Sequence, residues 1–353
     1  MEQHATDASS LPRVSVLMPV RNEVAYIRRS LEAVLSQDYP PDLIEVLVAD
    51  GMSTDGTADV VREIQDRNRN VRLLTNPGLV APSALNIATK AATGEILVRI
   101  DGHCEIARDY ISSCVRHLLD GEVEGVGGSI QTVGETPTAQ TIALAMSSAF
   151  GVGNSAFRTT QGRTMPADTI PFPAYPRRVI EKAGPYDETM VRNQDDEYNY
   201  RIRKMGGRLL LAADVRSRYY SRAGLRSLWR QYFGYGFWKA RVLKKHPRQM
   251  SIRQFVPGAL VLCIIVGLVL SPFSRRARTL LIGTLLAYAG ASGCASVRIA
   301  SREGWSHLPR LPLAFGAIHL SYGAGFWIGL LNQGDVTAAS DEIKTRAEEK
   351  IGP

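Results

Sequence analysis

The 353-residue sequence predicts an α/β chain built on a doubly wound, mostly parallel sheet, continued by a helical region that crosses a membrane. Three observations predict this. Apolar runs at Val14–Pro19, Ile44–Ala49 and Glu95–Ile100 each lead into polar or acidic residues. Helical stretches alternate with those runs over the first 210 residues, with short connections, as in a parallel sheet of β and α units. Nineteen consecutive positions from Phe255 to Phe273 then carry no charge, enough to span a bilayer.

The elements follow in order. Val14–Pro19 and Ile44–Ala49 read as buried strands, with helices near Val24–Ser36 and Thr57–Arg67 between and after them. Val71–Thr75 is a third strand, and Pro82–Ala92 is a helix with Pro82 or Ser83 near its start. Glu95–Ile100 is a fourth strand, Ala107–Leu119 a helix and Val123–Gln131 a further extended run. No internal repeat is present. The first strand runs into Pro19-Val-Arg-Asn-Glu23 where a dinucleotide site would have GxGxxG, which argues against a dehydrogenase.

The net charge of +8 is concentrated. Residues 201–253 hold fifteen Lys or Arg and one acidic residue, Asp214, so the rest of the chain is net acidic. Such a tract fits nucleic acid, anionic lipid or a phosphorylated substrate. The spans that follow explain the charge, so no nucleic-acid partner is expected: basic ground before a span fits the cytoplasmic leaflet. Leu280–Val297 and Leu311–Leu331 are two more uncharged stretches, and Gly325 with Gly329 forms a GxxxG pair that permits close helix packing. Arginines in both later loops leave the topology of the spans open. The four cysteines, Cys104, Cys114, Cys263 and Cys294, have no metal-site spacing and are expected reduced and buried. The first ten residues lack a signal-peptide pattern, so the first domain is expected in the cytoplasm, on the inner membrane.

The domain plan is therefore a disordered 1–11, a catalytic domain over 12–222, a basic aromatic interfacial segment over 223–253, about three transmembrane helices over 254–333, and a polar tail over 334–353.

Ligands of open α/β sheets bind beyond the carboxyl ends of the strands, and that is where the chain keeps its carboxylates. Asp50 ends the second strand and can accept a hydrogen bond from a base N–H, with Gly51 allowing a tight turn. Asp55 is placed to cap the next helix. Asp101-Gly102-His103 follows the fourth strand; carboxylate plus diphosphate oxygens suit Mg2+ or Mn2+, and an imidazole favours Mn2+. The alternative makes His103 structural and gives its role to Glu105. Asn193-Gln-Asp-Asp-Glu197 opens a helix, where Asp195 or Asp196 is a candidate general base and one of the two caps the helix or pairs with Arg201 or Arg203. Leu225, Trp229, Tyr232, Phe233 and Phe237, among Arg226, Arg230, Lys239, Lys244 and Lys245, suit a helix at the membrane surface and the phosphates of a polyprenyl-linked acceptor.

Taken together, Val16-Leu-Met-Pro-Val-Arg-Asn-Glu, Ala49-Asp-Gly-Met-Ser-Thr-Asp-Gly-Thr, Asn76-Pro-Gly, Arg99-Ile-Asp-Gly-His-Cys, Arg192-Asn-Gln-Asp-Asp-Glu and Arg230-Gln-Tyr-Phe-Gly-Tyr-Gly-Phe-Trp-Lys resemble the family 2 glycosyltransferases of GT-A fold, in particular their bacterial succinoglycan-biosynthesis glucosyltransferase type. The resemblance covers about residues 12 to 245 and, loosely, the membrane tail. It implies that Pro19, Arg21, Asn22 and Glu23 line the nucleotide site, that Asp50 meets the base, and that Asp101 meets the ribose or diphosphate region. It also implies that Asp101 and His103 hold the divalent cation, with His103 standing where the family usually has a second Asp. The family's Glu-Asp base motif reads Gln194-Asp195 here, which points to Asp195 beside Asp196. Arg230, Gln231, Trp238 and Lys239 stand at the acceptor or interface motif. Gln231 to Trp238 lacks the arginine of the processive Gln-x-x-Arg-Trp motif, favouring single transfer. The implied activity is metal-dependent, inverting transfer of a hexose from a nucleotide sugar to a lipid-linked acceptor, in exopolysaccharide or cell-envelope glycan synthesis. The alternatives are a polyprenyl-phosphate sugar synthase and a non-catalytic membrane scaffold with a degenerate nucleotide fold.

Overall fold

The computed structural model describes residues 11–332 except 154, 161 and 222. The expected disordered residues 1–10 and the polar tail lie outside the described residues. The described chain divides into two compact units, residues 11–130 with 160–219, and residues 131–159 with 220–332.

The first unit is built on a mixed sheet. β1 (Val14–Val20), β2 (Ile44–Asp50), β3 (Val71–Thr75) and β4 (Ile96–Arg99) lie in the order β3-β2-β1-β4, all parallel. Every residue of β1 is buried, as expected for a parallel strand covered on both faces. The helices α1 (Ile27–Leu35), α2 (Thr57–Arg67) and α3 (Ala81–Ala91) connect these strands. α1 begins later than its apolar pattern because Glu23 to Tyr26 form a turn, with Tyr26 and Ile27 N–H both donating to the Glu23 carbonyl.

β5 (Cys104–Ile106) is followed by α4 (Tyr110–Asp120) and β6 (Gly125–Val133), and later by β7 (Met165–Pro166), β8 (Ala174–Pro176), α8 (Arg177–Ala183), α9 (Gln194–Lys204) and β9 (Leu209–Tyr220). Beyond β4 the sheet continues in antiparallel pairs, β8 with β4 and β6, and β5 and β7 with β9, through two long strands and three short ones. The full order is β3-β2-β1-β4-β8-β6-β9-β5, with β7 paired to β9. β8 inserts next to β4, Val98 facing Ala174, and so seats the later chain against the parallel half. This is an α/β fold built on one mixed sheet.

The second unit is helical. It holds α5 (Pro137–Met146), capped by the Thr136 hydroxyl, then α6 (Ala149–Val152) and α7 (Ala156–Thr159), and after β9 the long α10 (Leu225–Lys245). Among the described residues, three helices long and apolar enough to cross a membrane follow. They are Ile252–Leu270, which takes in α11 (Val256–Leu270), α12 (Arg275–Glu303) and α13 (Leu311–Leu331). Only 11% of the first apolar window and 17% of the second are covered by protein, whereas half of the third is. α11 and α12 therefore present leucine, isoleucine and valine outward, and α13 is the packed centre. α12 contains the uncharged stretch Leu280–Val297, and its exposed apolar side chains, such as Leu280, Ile282 and Leu286, suit lipid.

The Gly325–Gly329 pair does bring helices close, and its partner is α10 of the same chain. A Cβ on Gly325 would run into the Phe233 carbonyl, and one on Gly329 into that of Phe237. Gly236 of α10 meets the Tyr322 carbonyl of α13 in the same way. Two of the cysteines depart from expectation. All four are free, and Cys104 and Cys114 are buried, but Cys263 and Cys294 are exposed because they lie on the outward faces of α11 and α12.

Candidate active site

The carboxyl ends of β1, β2 and β4 adjoin one another because those strands are neighbours in parallel register, Val20 level with Asp50. Three loops leave there. The first runs from Arg21 through Asn22 and Glu23, the second from Gly51 to Gly56, and the third from Asp101 to His103. Hydrogen bonds lock the first two together. Asn22 N–H donates to the Ser53 hydroxyl at 2.8 Å, and Thr54 N–H donates to Asn22 Oδ1 at 2.9 Å. Glu23 N–H donates to the Thr57 hydroxyl at 2.8 Å, and Val24 N–H donates to Asp55 Oδ2 at 3.1 Å.

Several backbones here are held in the left-handed region. Asn22 has φ 55°, Met52 φ 55°, Leu79 φ 63° and Asn193 φ 58°. Each non-glycine residue so held costs on the order of 1 kcal/mol and persists only where its surroundings over-determine it, as at binding sites. Arg21 reaches the Leu79 carbonyl at 3.4 Å, joining the loop after β3 to the same rim.

Asp50 is buried and spends both carboxylate oxygens on its own turn, accepting from Ser53 Oγ at 2.5 Å and from Ser53 N–H at 3.0 Å. Pro19 is buried within β1, level with Ala49. Asp55 does not occupy the N-cap of α2. Gly56 does, at φ 92°, and Asp55 accepts from the N–H and hydroxyl of Thr57. Burial pushes the Asp55 carboxyl up, but these bonds outweigh it and hold it below its ordinary value.

The third loop carries two held side chains. Arg99, buried at the end of β4, grips Asp101 with two bonds, Nε to Oδ1 at 2.8 Å and Nη2 to Oδ2 at 3.2 Å. Burial disfavours charge on both groups. The pair nevertheless stays ionised, Asp101 below its ordinary value through Arg99 and then His103, and Arg99 above its own through Asp101 and then Asp195. His103 Nδ1 lies 2.8 Å from Glu23 Oε1, and the Tyr219 ring packs edge-on against the imidazole at 5.3 Å between centroids. Glu105, the alternative to His103, sits in β5 within 3.5 Å of Arg29 Nε.

Asp195 and Asp196 lie in the first turn of α9, behind Asn193 as N-cap. Asp195 retains some exposure but is surrounded by protein, and its Oδ1 accepts from Asp196 N–H at 3.0 Å. Burial raises its carboxyl above the ordinary range; Arg99 opposes this and Asp196 and Asp101 add to it. The arginines expected to pair with this acidic run bind elsewhere in it or beyond. Arg201 pairs with the buried Glu197 at 3.0 Å and donates to the carbonyls of Ala183 and Pro185, while Arg203 pairs with Asp168.

Asp101 and His103 fit a divalent cation by donor chemistry. Each carboxylate oxygen held by Arg99 keeps a further lone pair, and a histidine with its other nitrogen on a carboxylate is the usual form of a metal ligand. Among the described residues no three His, Cys, Asp or Glu side chains gather into a complete cage. A cation on Asp101 and His103 would therefore take its remaining ligands from bound phosphate oxygens and water.

Arg230, Gln231, Trp238 and Lys239 belong to α10, in the helical unit. Arg230 is exposed, whereas Gln231, Trp238 and Lys239 are buried, since the flank of α10 that bears them is covered. Gln231 Nε2 donates to the Tyr235 hydroxyl at 3.0 Å. The structure adds Arg99 to the site, a residue that its sequence motif leaves without a role. An arginine inside the apolar run Ile96–Ile100 was the available signal, because a buried guanidinium needs a carboxylate partner.

The model of Glycosyl transferase family 2 matches residues 15–184. Succinoglycan biosynthesis protein ExoA of Rhizobium meliloti is 32% identical over 330 residues, covering 93% of this chain and 96% of that protein. The chain belongs to the family 2 glycosyltransferases. A second relative of this glycosyltransferase, the dolichyl N-acetyl-alpha-D-glucosaminyl phosphate 3-beta-D-2,3-diacetamido-2,3-dideoxy-beta-D-glucuronosyltransferase of Methanococcus voltae, is 27% identical over 66% of this chain and 74% of that protein. Among solved structures, the mannosyltransferase PcManGT from Pyrobaculum calidifontis, in complex with GDP-Man and Mn2+, aligns with TM-score 0.58 at 22% identity over 94% of this chain and 90% of that one. That likeness supports the GT-A fold.

Proposed function

We propose that this glycosyltransferase is a metal-dependent inverting hexosyltransferase. Its donor is a nucleotide sugar, a UDP-hexose, and its acceptor a polyprenyl-linked saccharide in exopolysaccharide or cell-envelope glycan synthesis. The observation that carries the reading is Arg99, which is bound to Asp101 and acts electrostatically on Asp195. It thereby ties a donor-side carboxylate to a carboxylate whose proton affinity is raised.

In this reading the Arg21 to Glu23 loop, Pro19 and Asp50 form the nucleotide side, and Asp101 with His103 faces the diphosphate. A bound Mg2+ or Mn2+ supplies neutralisation of the charge that develops on the leaving diphosphate; the Pyrobaculum relative in fold was solved with Mn2+. Asp195 takes the proton from the acceptor hydroxyl as that oxygen attacks the anomeric carbon. The C–O bond to the diphosphate breaks in the same displacement, so the anomeric configuration inverts and no covalent enzyme intermediate forms. Asp196, next to it, raises its proton affinity. Arg230 on α10 is available to acceptor phosphates, and Gln231, Trp238 and Lys239 shape that helix. The lipid-linked acceptor is supported by the dolichyl-named relative and by the three apolar helices. The basic tract before α11 supports a catalytic unit facing the cytoplasm, on the inner membrane.

The test is release of nucleotide by the purified membrane protein from a panel of UDP- and GDP-sugars, with Mg2+, Mn2+ or EDTA, with and without a lipid extract. Lipid-dependent, metal-dependent release, giving a glycoside of inverted configuration, is expected. A sugar phosphate ester on the lipid would replace this reading by a polyprenyl-phosphate sugar synthase. No release from any donor by folded protein would leave the scaffold alternative.

A further inference from the structure

We propose that Glu23 is a positioning residue that acts through His103. It holds the imidazole so that its hydrogen is on Nδ1 and its ligating lone pair on Nε2, toward a cation shared with Asp101. The inference rests on the cation reading above and changes the role of Glu23 from nucleotide contact to support for a metal ligand.

Five observations converge on it. Glu23 Oε1 is 2.8 Å from His103 Nδ1, and a carboxylate at that distance accepts the ring N–H. Both side chains are only 22% exposed, so water competes weakly for the bond. Glu23 is itself fixed, its N–H on the Thr57 hydroxyl at 2.8 Å and its carbonyl starting α1 by accepting from Tyr26 and Ile27. Finally, the loop is shaped to admit it. Gly102 has no side chain, and a Cβ there would lie 2.9 Å from Val20 Cγ1 and 3.3 Å from Glu23 Cγ. The Tyr219 ring restrains the imidazole as well.

The two candidate ligands are thus each held by one dedicated partner, Asp101 by Arg99 and His103 by Glu23. Carboxylate partners of ligating histidines fix the tautomer and ring orientation, and their loss typically costs about 10- to 100-fold in metal affinity.

Mn2+ binding to the full chain in nanodiscs, read from the electron paramagnetic resonance of free Mn2+ in the presence of UDP or GDP, tests this without catalysis. Glu23→Ala is expected to weaken Mn2+ about 10- to 100-fold. Glu23→Gln, whose amide oxygen still accepts from Nδ1–H, is expected to stay within a few-fold of the parent. In a His103→Ala background Glu23→Ala is expected to have no further effect, because the route through His103 is gone. Wild-type Mn2+ affinity in Glu23→Ala overturns the proposal. So does an equal further loss in the His103→Ala background, or loss of nucleotide binding in EDTA, which would make Glu23 a nucleotide contact. Failure of the cation reading has a different signature: the parent binds no Mn2+, or His103→Ala binds it as tightly as the parent. A thermal melt of each variant separates these results from unfolding.

Discussion

Asp195 holds its negative charge at a cost. Its carboxyl is raised by burial, with Asp196 adding and Arg99 opposing. A raised folded value means the native state binds the proton more tightly than the unfolded chain does. Stability therefore falls as pH rises from the ordinary carboxylate range through the raised value, and the deficit persists at neutral pH. Asp195→Asn removes the titration. It is expected to melt no earlier than the parent at pH 7, with the difference closing at about pH 4, near the ordinary carboxylate value. The same variant is expected to lose about 100- to 10,000-fold in turnover, the usual contribution of a general base, with donor binding kept. Thermal melts at two pH values and turnover on the membrane protein check both halves; near-normal turnover would remove Asp195 from the base role. Arg99 shows the opposite economy. Arg99→Met leaves the part-buried Asp101 and Asp195 without their shared cation, and breaking an ion pair from one side costs at most about 3–5 kcal/mol, the figure for a fully buried pair. The expected result is a clear drop in melting temperature, recovered only partly by Arg99→Lys, which restores charge but not the two-pronged grip. A melt like the parent's for Arg99→Met would show that neither carboxylate is ionised in the folded state.

At the scale of elements, the α10–α13 contact is set by glycines. Gly325→Ala puts a methyl against the Phe233 carbonyl, backbone that cannot swing aside. Overpacking of this kind costs about 1–3 kcal/mol. Gly283→Ala on α12, where a Cβ meets nothing, is the control and is expected to hold or raise the melting temperature. Equal melts for both would mean that the two helices do not pack this closely. The same contact marks where sequence reading succeeds and where it stops. The GxxxG pair announced close packing, but the partner was a helix eighty residues earlier in the chain, roughly speaking, and no local pattern names a distant partner. The parallel strands were legible because β1, β2 and β4 are apolar on both faces, and α2 and β3 end where their patterns end. β8 was not, since Ala174-Tyr-Pro176 has neither length nor alternation and owes its pairing to β4. In the site, the acidic strand ends were legible as a set. Their partners were not: Glu23 and His103 are eighty positions apart, and only the adjacency of β1 and β4 brings them together.

For the whole molecule, the four free thiols report on how the chain meets its solvents. Cys104 and Cys114 lie in the α/β unit, where burial pushes both thiols up, and the protonated form is unreactive. Cys263 and Cys294 are exposed on helices whose outward faces are leucine, isoleucine and valine. If those faces meet hydrocarbon, the two thiols are open in geometry but out of reach of a reagent confined to water. Intact vesicles are therefore expected to give almost no labelling by a charged methanethiosulfonate at any of the four sites, while a lipid-soluble maleimide modifies Cys263 and Cys294 slowly. Denaturation in detergent is expected to expose all four. Cysteine-by-cysteine mass spectrometry reads the pattern. Rapid labelling of Cys263 or Cys294 by the charged reagent in sealed vesicles would place that helix in water, and the three apolar helices would then need a protein partner in place of lipid to cover their outward faces.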